Sequence, residues 1–560
     1  MLRQIAGRAI VAVCATSLGM SILVLAVPIY SLQVFDRVLI SRSTATLAYL
    51  TLIVIVLISA HAFLEAMRLK LLLRIGNRIQ LALESKVLEA CVAASARISA
   101  PVTHPLRDLA IVRNFLAGAQ GIVALIDTPL AVLFLIAVFL IHPWLGVAMI
   151  VGIAALVLVA LMAEGVSHGP VKAAHEAGVR AQGQMNEIIH NAETVEAMGM
   201  RTAVFARWQQ LSHEALHFQS IGADHSAVLT ALGRWIRLVL GIGLTGLGAY
   251  LAIEDRITMG GMIASGILVS RGLAPLENFI PLWRQWIGAR TAFQRLTEAL
   301  AQFPRNEVGM NPRAPTGVLS IEQISYVPPK SDVPILKGIS LGLPAGAQLG
   351  LVGPVSAGKS TLVKLICGIW KPRTGTVRLD NADVYPWERE DFGRILGYLP
   401  QGAEFFSGSV RDNIARFALA SDDDVIAAAR LAGIHDSILR FPAQYETQIG
   451  ATGIAVSAGM RQRIGLARAI FGTPKLVVLD EPSANLDAEG KKALMIVLND
   501  LKARHITTIV ITHELAFLQN VDFIGVMVDG QLKDFGTRGE VTRRAAAFHA
   551  PSEKPLNEAT

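Results

Sequence analysis

Through the first half of the chain, long uncharged apolar stretches alternate with polar stretches of helical pattern. Ala9 to Val34 carries no charged residue and is long enough to cross a hydrocarbon layer of about 30 Å. Thr44 to Ala60 is a second such stretch, Ile122 to Ile141 holds a single ionisable residue, Asp127, and Pro143 to Ala163 holds none. Leu238 to Ile253 and Met259 to Ser270 are shorter. The pattern predicts six membrane spans, about 9–34, 44–63, 121–141, 143–163, 236–253 and 257–280, in a transmembrane domain over residues 1–303. The first is too long for a cleavable leader, and no small-residue cleavage site follows it.

These spans pair through short polar turns near Asp36 to Ser43, His142-Pro143 and Glu254 to Arg256. The segments after spans two and four are long, about 55 to 75 residues, and helical in pattern. Arg68, Lys70, Arg74, Arg78 and Lys86 follow span two, whereas the first turn holds only Arg37 and Arg42 and the second holds no basic residue but His142. Positive charge resists translocation, so the long segments and both termini are expected in the cytoplasm. Asp127, just ahead of Pro129, is expected to cap its helix at the membrane interface. Arg271 and Glu277 either line a substrate path at membrane depth or belong to helix that has already left the bilayer.

After Pro304 the pattern changes. Asn306 to Thr316, rich in Pro, Gly and Asn, belongs to a linker over residues 304–317. Beyond it the short apolar runs Val318–Ile321, Gln348–Val352, Leu476–Leu479 and Thr508–Ile511 alternate with helical segments. That alternation predicts an α/β domain with a mainly parallel sheet over residues 318–545, followed by a polar tail, 546–560.

Composition sharpens this division. Hydrophobic residues make up 52% of the 560-residue chain and charged residues 17%, against about 25% charge in a soluble protein. The apolar surface needs a lipid bilayer as its sink, which excludes disorder, a fibre and a purely cytosolic enzyme. The net charge of +7 is accounted for by Lys and Arg in cytoplasmic loops. No basic run carries interleaved aromatics, so nucleic acid is not an expected partner. Cys14, Cys91 and Cys367 are far apart, which argues against a disulfide framework.

The chemistry lies in the second half. Gly353-Pro354-Val355-Ser356-Ala357-Gly358-Lys359-Ser360, followed by Thr361, matches the P-loop pattern directly after an apolar strand and at the start of a helix. There, backbone amides and a helix N-terminus cradle phosphates, Lys359 reaches the β- and γ-phosphates, and Ser360 ligates Mg²⁺. Leu476 to Glu481 is an apolar strand ending in two carboxylates, about 120 residues further on. Asp480 is the candidate for the Mg²⁺ shell and Glu481 for the general base that polarises the attacking water.

Taken together these motifs resemble an ABC-transporter nucleotide-binding domain, and further family motifs appear in order. Gln401, in Tyr-Leu-Pro-Gln, matches the Q-loop glutamine that contacts Mg²⁺. Ser483-Ala-Asn-Leu-Asp487 matches the D-loop, His513 matches the γ-phosphate-sensing switch histidine, and Tyr326 stands where the family stacks an aromatic on adenine. The signature departs from pattern: Val456-Ser457-Ala458-Gly459-Met460 stands for Leu-Ser-Gly-Gly-Gln. Ser457 and Gly459 can still donate to a γ-phosphate, but Ala458 adds a Cβ and Met460 lacks an amide, which implies slower turnover or weaker closure.

The membrane half resembles the PrtD-like ATPases of bacterial type I secretion in four phrases. They are Pro28-Ile-Tyr-Ser-Leu-Gln-Val-Phe-Asp-Arg-Val-Leu, Asp127-Thr-Pro-Leu, His142-Pro-Trp-Leu-Gly and Asn191-Ala-Glu-Thr-Val-Glu-Ala-Met-Gly-Met. The fold this implies is an all-α six-helix ABC exporter transmembrane domain followed by an α/β P-loop nucleotide-binding domain. It also implies an ATP hydrolase of the bacterial inner membrane that exports an unfolded polypeptide bearing a C-terminal signal, with ATP and Mg²⁺ as cofactors. Its partners would be a second half-transporter, a periplasmic adaptor and a TolC-like outer-membrane channel. A homodimer is the leading expectation and an asymmetric heterodimer the alternative. Two other functions stay open: export of lipid, glycan or small peptide, and an ATP-binding regulatory half-transporter with low hydrolysis.

Overall fold

The computed structural model describes residues 2–98, 102, 104–118, 121–302, 315–328, 331–450 and 453–549. Most of the expected linker, 304–314, and most of the polar tail, 550–560, lie outside the described residues, as does the side chain of Glu277. The chain divides into two compact units, residues 1–94 with 101–303, and residues 95–100 with 304–560.

The first unit is helical. Among the described residues, six segments are long and apolar enough to cross a membrane: Val11–Ser41, Thr44–Arg97, His104–Ile141, Pro143–His190, Arg201–Ile253 and Met259–Leu276. Their helices run well past the apolar stretches; Thr44–Ile98 has 55 residues, about 80 Å at 1.5 Å per residue. Large apolar side chains face outward, Leu140 being 83% and Ile242 75% exposed. That is the arrangement expected where hydrocarbon, not water, is the solvent. The interior closes around Phe134, Val138, Leu145, Met149, Leu156 and Leu273.

Asp36 and Asp127 are among the carboxylates that brace this unit. Asp36 accepts from the Thr258 hydroxyl at 2.6 Å and from the Gly260 amide at 2.9 Å, which caps the helix Met259–Gln302 and pins two of the short turns together. Asp127 does not cap its helix. It lies inside Ile122–Ile141, whose N-cap is Gly121, and Arg68 Nη1 donates to both its carboxylate oxygens at 2.9 and 3.0 Å and to Ser17 Oγ at 2.9 Å. The buried Arg68 guanidinium binds this carboxylate by charge-assisted hydrogen bonds, so the pair becomes a strut joining three helices.

Among the described residues the second unit holds three sheets, built from β1 (Leu319–Tyr326), β2 (Leu336–Leu343), β3 (Gln348–Val352), β4 (Thr374–Leu379), β5 (Ala382–Asp383), β6 (Leu396–Leu399), β7 (Gly408–Ser409), β8 (Gln448–Ile449), β9 (Leu476–Asp480), β10 (Thr507–Ile511), β11 (Phe523–Val528) and β12 (Gln531–Thr537). The central sheet runs β12-β11-β3-β10-β9-β6, parallel except for β12. Its strands β9 and β10 are buried at every position, which explains their unbroken Val/Ile/Leu runs. An antiparallel sheet β2-β1-β4-β5 was only partly legible, because β1 and β2 alternate buried with open positions and bend at register shifts.

Candidate active site

Three strands of the central sheet deliver the site at their C-terminal edge. β3 ends in the P-loop, β9 in Asp480 and Glu481, and β10 runs into His513; Ile511 of β10 pairs with Leu351 on one side and Asp480 on the other. Ligands of open α/β sheets gather at this edge, where loops and helix N-termini converge. Because β10 lies between β3 and β9, His513 falls between the other two groups. Its Nε2 is 3.2 Å from Glu481 Oε1 and 3.4 Å from Lys359 Nζ. A proton on Nε2 is donated to Glu481; without it the nitrogen accepts from Lys359.

The loop is shaped by its backbone. Gly353 has φ +152°, and a Cβ there would fall 2.1 Å from the Met527 carbonyl oxygen, so only glycine fits. Pro354, Val355 and Ser356 are exposed, Ala357, Gly358 and Lys359 are buried, and Lys359 opens the helix that Ser360 and Thr361 continue. Lys359 Nζ donates to the Gly353 and Pro354 carbonyls at 2.7 and 2.9 Å. The ammonium thus turns back over its own loop, where phosphate oxygens would compete for it.

Asp480 is 4% exposed, and its Oδ1 is buried with no hydrogen-bond partner. Burial pushes its carboxyl above the ordinary range, against the Ser360 hydroxyl bond and Lys359, which pull it down. A buried carboxylate oxygen without a partner, beside a serine hydroxyl, is a fitting donor set for a hard divalent cation. Glu481 has φ +50°, a strained setting that aims its side chain off the strand end. Burial raises its pKa too, and Asp480 adds to the rise, while His513 and Lys359 oppose it. Gln401 is exposed just past β6. Tyr326 is 6% exposed and stacks on Trp370 with ring centroids 4.8 Å apart and planes at 12°.

At the signature segment, Ser457 caps the helix Ala458–Ile470 and accepts from the Met460 amide at 3.4 Å. A Cβ on Gly459 would lie 2.9 Å from the Asn485 carbonyl oxygen, so the segment needs glycine there for its close approach to the D-loop. Sequence reasoning missed Gln462, which is 3% exposed and donates to the Glu481 and Pro482 carbonyls, both at 3.4 Å. It also missed Arg463, 2.7 Å from Asp487. The available signal was a single polar residue on the apolar, buried side of a helical pattern. The Trp370 partner of Tyr326 had no signal along the chain.

Comparison with known proteins identifies both halves of the chain. Residues 336–484 match the ABC transporter family and residues 10–271 the ABC transporter transmembrane region. The chain is 35% identical to the type I secretion system ATP-binding protein PrsD of Rhizobium meliloti (strain 1021), over 95% of this chain and 92% of that one. The chain belongs to the type I secretion ABC transporters. A more distant member of this family, the alpha-hemolysin translocation ATP-binding protein HlyB of Escherichia coli O157:H7, is 26% identical over 97% of this chain and 78% of its own length. A bacterial Atm1-family ABC exporter with ATP bound has the same fold, with a TM-score of 0.83 at 21% identity, covering 98% of this chain and 99% of that one. The chain is therefore an ABC-type membrane protein with an ATP-binding domain.

Proposed function

We propose that this chain is the ATP-hydrolysing half of a dimeric exporter that moves an unfolded polypeptide, carrying a C-terminal signal, out of the cytoplasm through the bacterial inner membrane. Its nucleotide domain and both termini are cytoplasmic, and a periplasmic adaptor and an outer-membrane channel of the TolC kind continue the route. The observation that carries this is the near full-length likeness to a type I secretion ATP-binding protein.

In this scheme the P-loop residues 353–361 hold the triphosphate, with Lys359 leaving the Gly353 and Pro354 carbonyls for the β- and γ-phosphates. Ser360, Asp480 and Gln401 hold Mg²⁺, which neutralises phosphate charge when bound. Glu481 takes up the proton of the attacking water, and His513 steadies Glu481 and senses the γ-phosphate. Ser457 and Gly459 face the phosphate of the opposite half, and the Tyr326–Trp370 stack supplies the aromatic platform for adenine. The domain limits we propose are 1–303, 318–545 and the connecting 304–317.

The test is inverted membrane vesicles. Glu481→Gln and Lys359→Ala are each expected to lower ATP turnover by about 100-fold or more and to stop cargo uptake; turnover surviving either change overturns these roles. A second reading, a regulatory half with low hydrolysis, is favoured by Ala458 and Met460 in the signature.

A further inference from the structure

The membrane unit encloses a cavity of about 390 Å³ whose lining includes Ser17, His61, Arg68, Asp127, Arg271 and Gln285, a volume at the lower end of small-ligand sites. Among the described residues of the lining, two guanidinium groups face one carboxylate. Asp127 is already taken by Arg68 at 2.9 Å. Arg68 is 5% exposed, and its Nε is buried without a hydrogen-bond partner. Among the described residues, Arg271 has neither a carboxylate nor a hydrogen-bond partner. Counting helical rise from Met259 and Ile141, Arg271 and Asp127 lie about 18 and 21 Å into their helices, within a hydrocarbon core of about 30 Å. An uncompensated cation at that depth is costly, and an arriving anion relieves the cost.

We propose that this cavity binds a carboxylate carried by the transported polypeptide, with Arg271 and the free edge of Arg68 as its cationic fork. Ser17 and Gln285 supply polar contacts for the peptide backbone. Guanidinium matches a carboxylate in a planar, paired geometry, and the Arg68–Asp127 strut keeps one fork fixed while Arg271 stays available. This rests on the polypeptide-export reading and names the side-chain chemistry that the membrane path would select.

The test uses the full chain in phosphatidylcholine nanodiscs and a fluorescent Asp-rich peptide beside its Asn counterpart, each with a free or an amidated C-terminus. The native chain is expected to bind the Asp peptide roughly tenfold more tightly. Arg271→Gln should abolish that preference and Arg271→Lys retain it, which separates loss of charge from misfolding. A preference that depends on the free C-terminus instead places the terminal carboxylate at the site and also supports the proposal. Equal binding of all four peptides overturns it. So does a preference that vanishes when phosphatidylglycerol is added, because a lipid headgroup then owns the cavity. Either result leaves the export reading standing if vesicles still take up cargo with ATP; failure of native uptake defeats that reading by itself.

Discussion

Lys359, Glu481 and His513 form a chain of contacts through the His513 ring. Glu481 is raised by burial and by Asp480 and pulled down by His513 and Lys359, with the net effect upward from 4.5. In the general-base role proposed for it Glu481 must be ionised, so turnover is expected to fall at a higher pH than for an ordinary carboxylate. The acid limb of the rate profile is therefore expected to lie above that of an unperturbed glutamate. In His513→Ala the residual activity should lose its acid limb at still higher pH, because a neighbour that favours the charged form is gone. A limb unmoved by the substitution would separate His513 from Glu481. These residues were legible because motif spacing points to each of them; the 3.2 Å contact between two of them, 32 positions apart, was not.

Elements act here through their ends. The helix Ala458–Ile470 begins under Ser457, approaches Asn485 through Gly459 and reaches the strand β9 loop through Gln462. Gly459→Ala places a methyl against a carbonyl oxygen and is expected to cost about 1–3 kcal/mol, read as a lower midpoint of thermal unfolding in detergent. An unchanged midpoint would mean the backbone there yields freely. Restoring the family pattern with Ala458→Gly and Met460→Gln should raise ATP turnover if the altered signature limits it, and steady-state hydrolysis decides the matter. The parallel strands of the central sheet were readable as apolar runs because both their faces are covered. The antiparallel β1 and β2 were harder, since half their positions face outward and their register breaks.

At the scale of the whole molecule, the Arg68–Asp127 pair ties helices of the first unit together. Arg68→Ala leaves the half-buried Asp127 without its partner and is expected to destabilise by about 1–3 kcal/mol. Replacing both partners, with Arg68→Met and Asp127→Leu, should cost distinctly less; thermal unfolding of the two variants in one detergent compares them, and equal losses would argue against a buried pair. The sequence by itself determined the six apolar spans and the α/β half, because hydropathy and the period of apolar positions act locally along the chain. It also singled out the candidate phosphate-handling residues, because motif spacing is tied to loop geometry. Only the tertiary structure decided that β10 separates β3 from β9 and so sets His513 between Lys359 and Glu481. It alone paired Asp127 with Arg68, 59 positions away. Strand order and helix pairing are settled by which surfaces exclude solvent together, and that competition leaves no periodic trace in a single chain of residues.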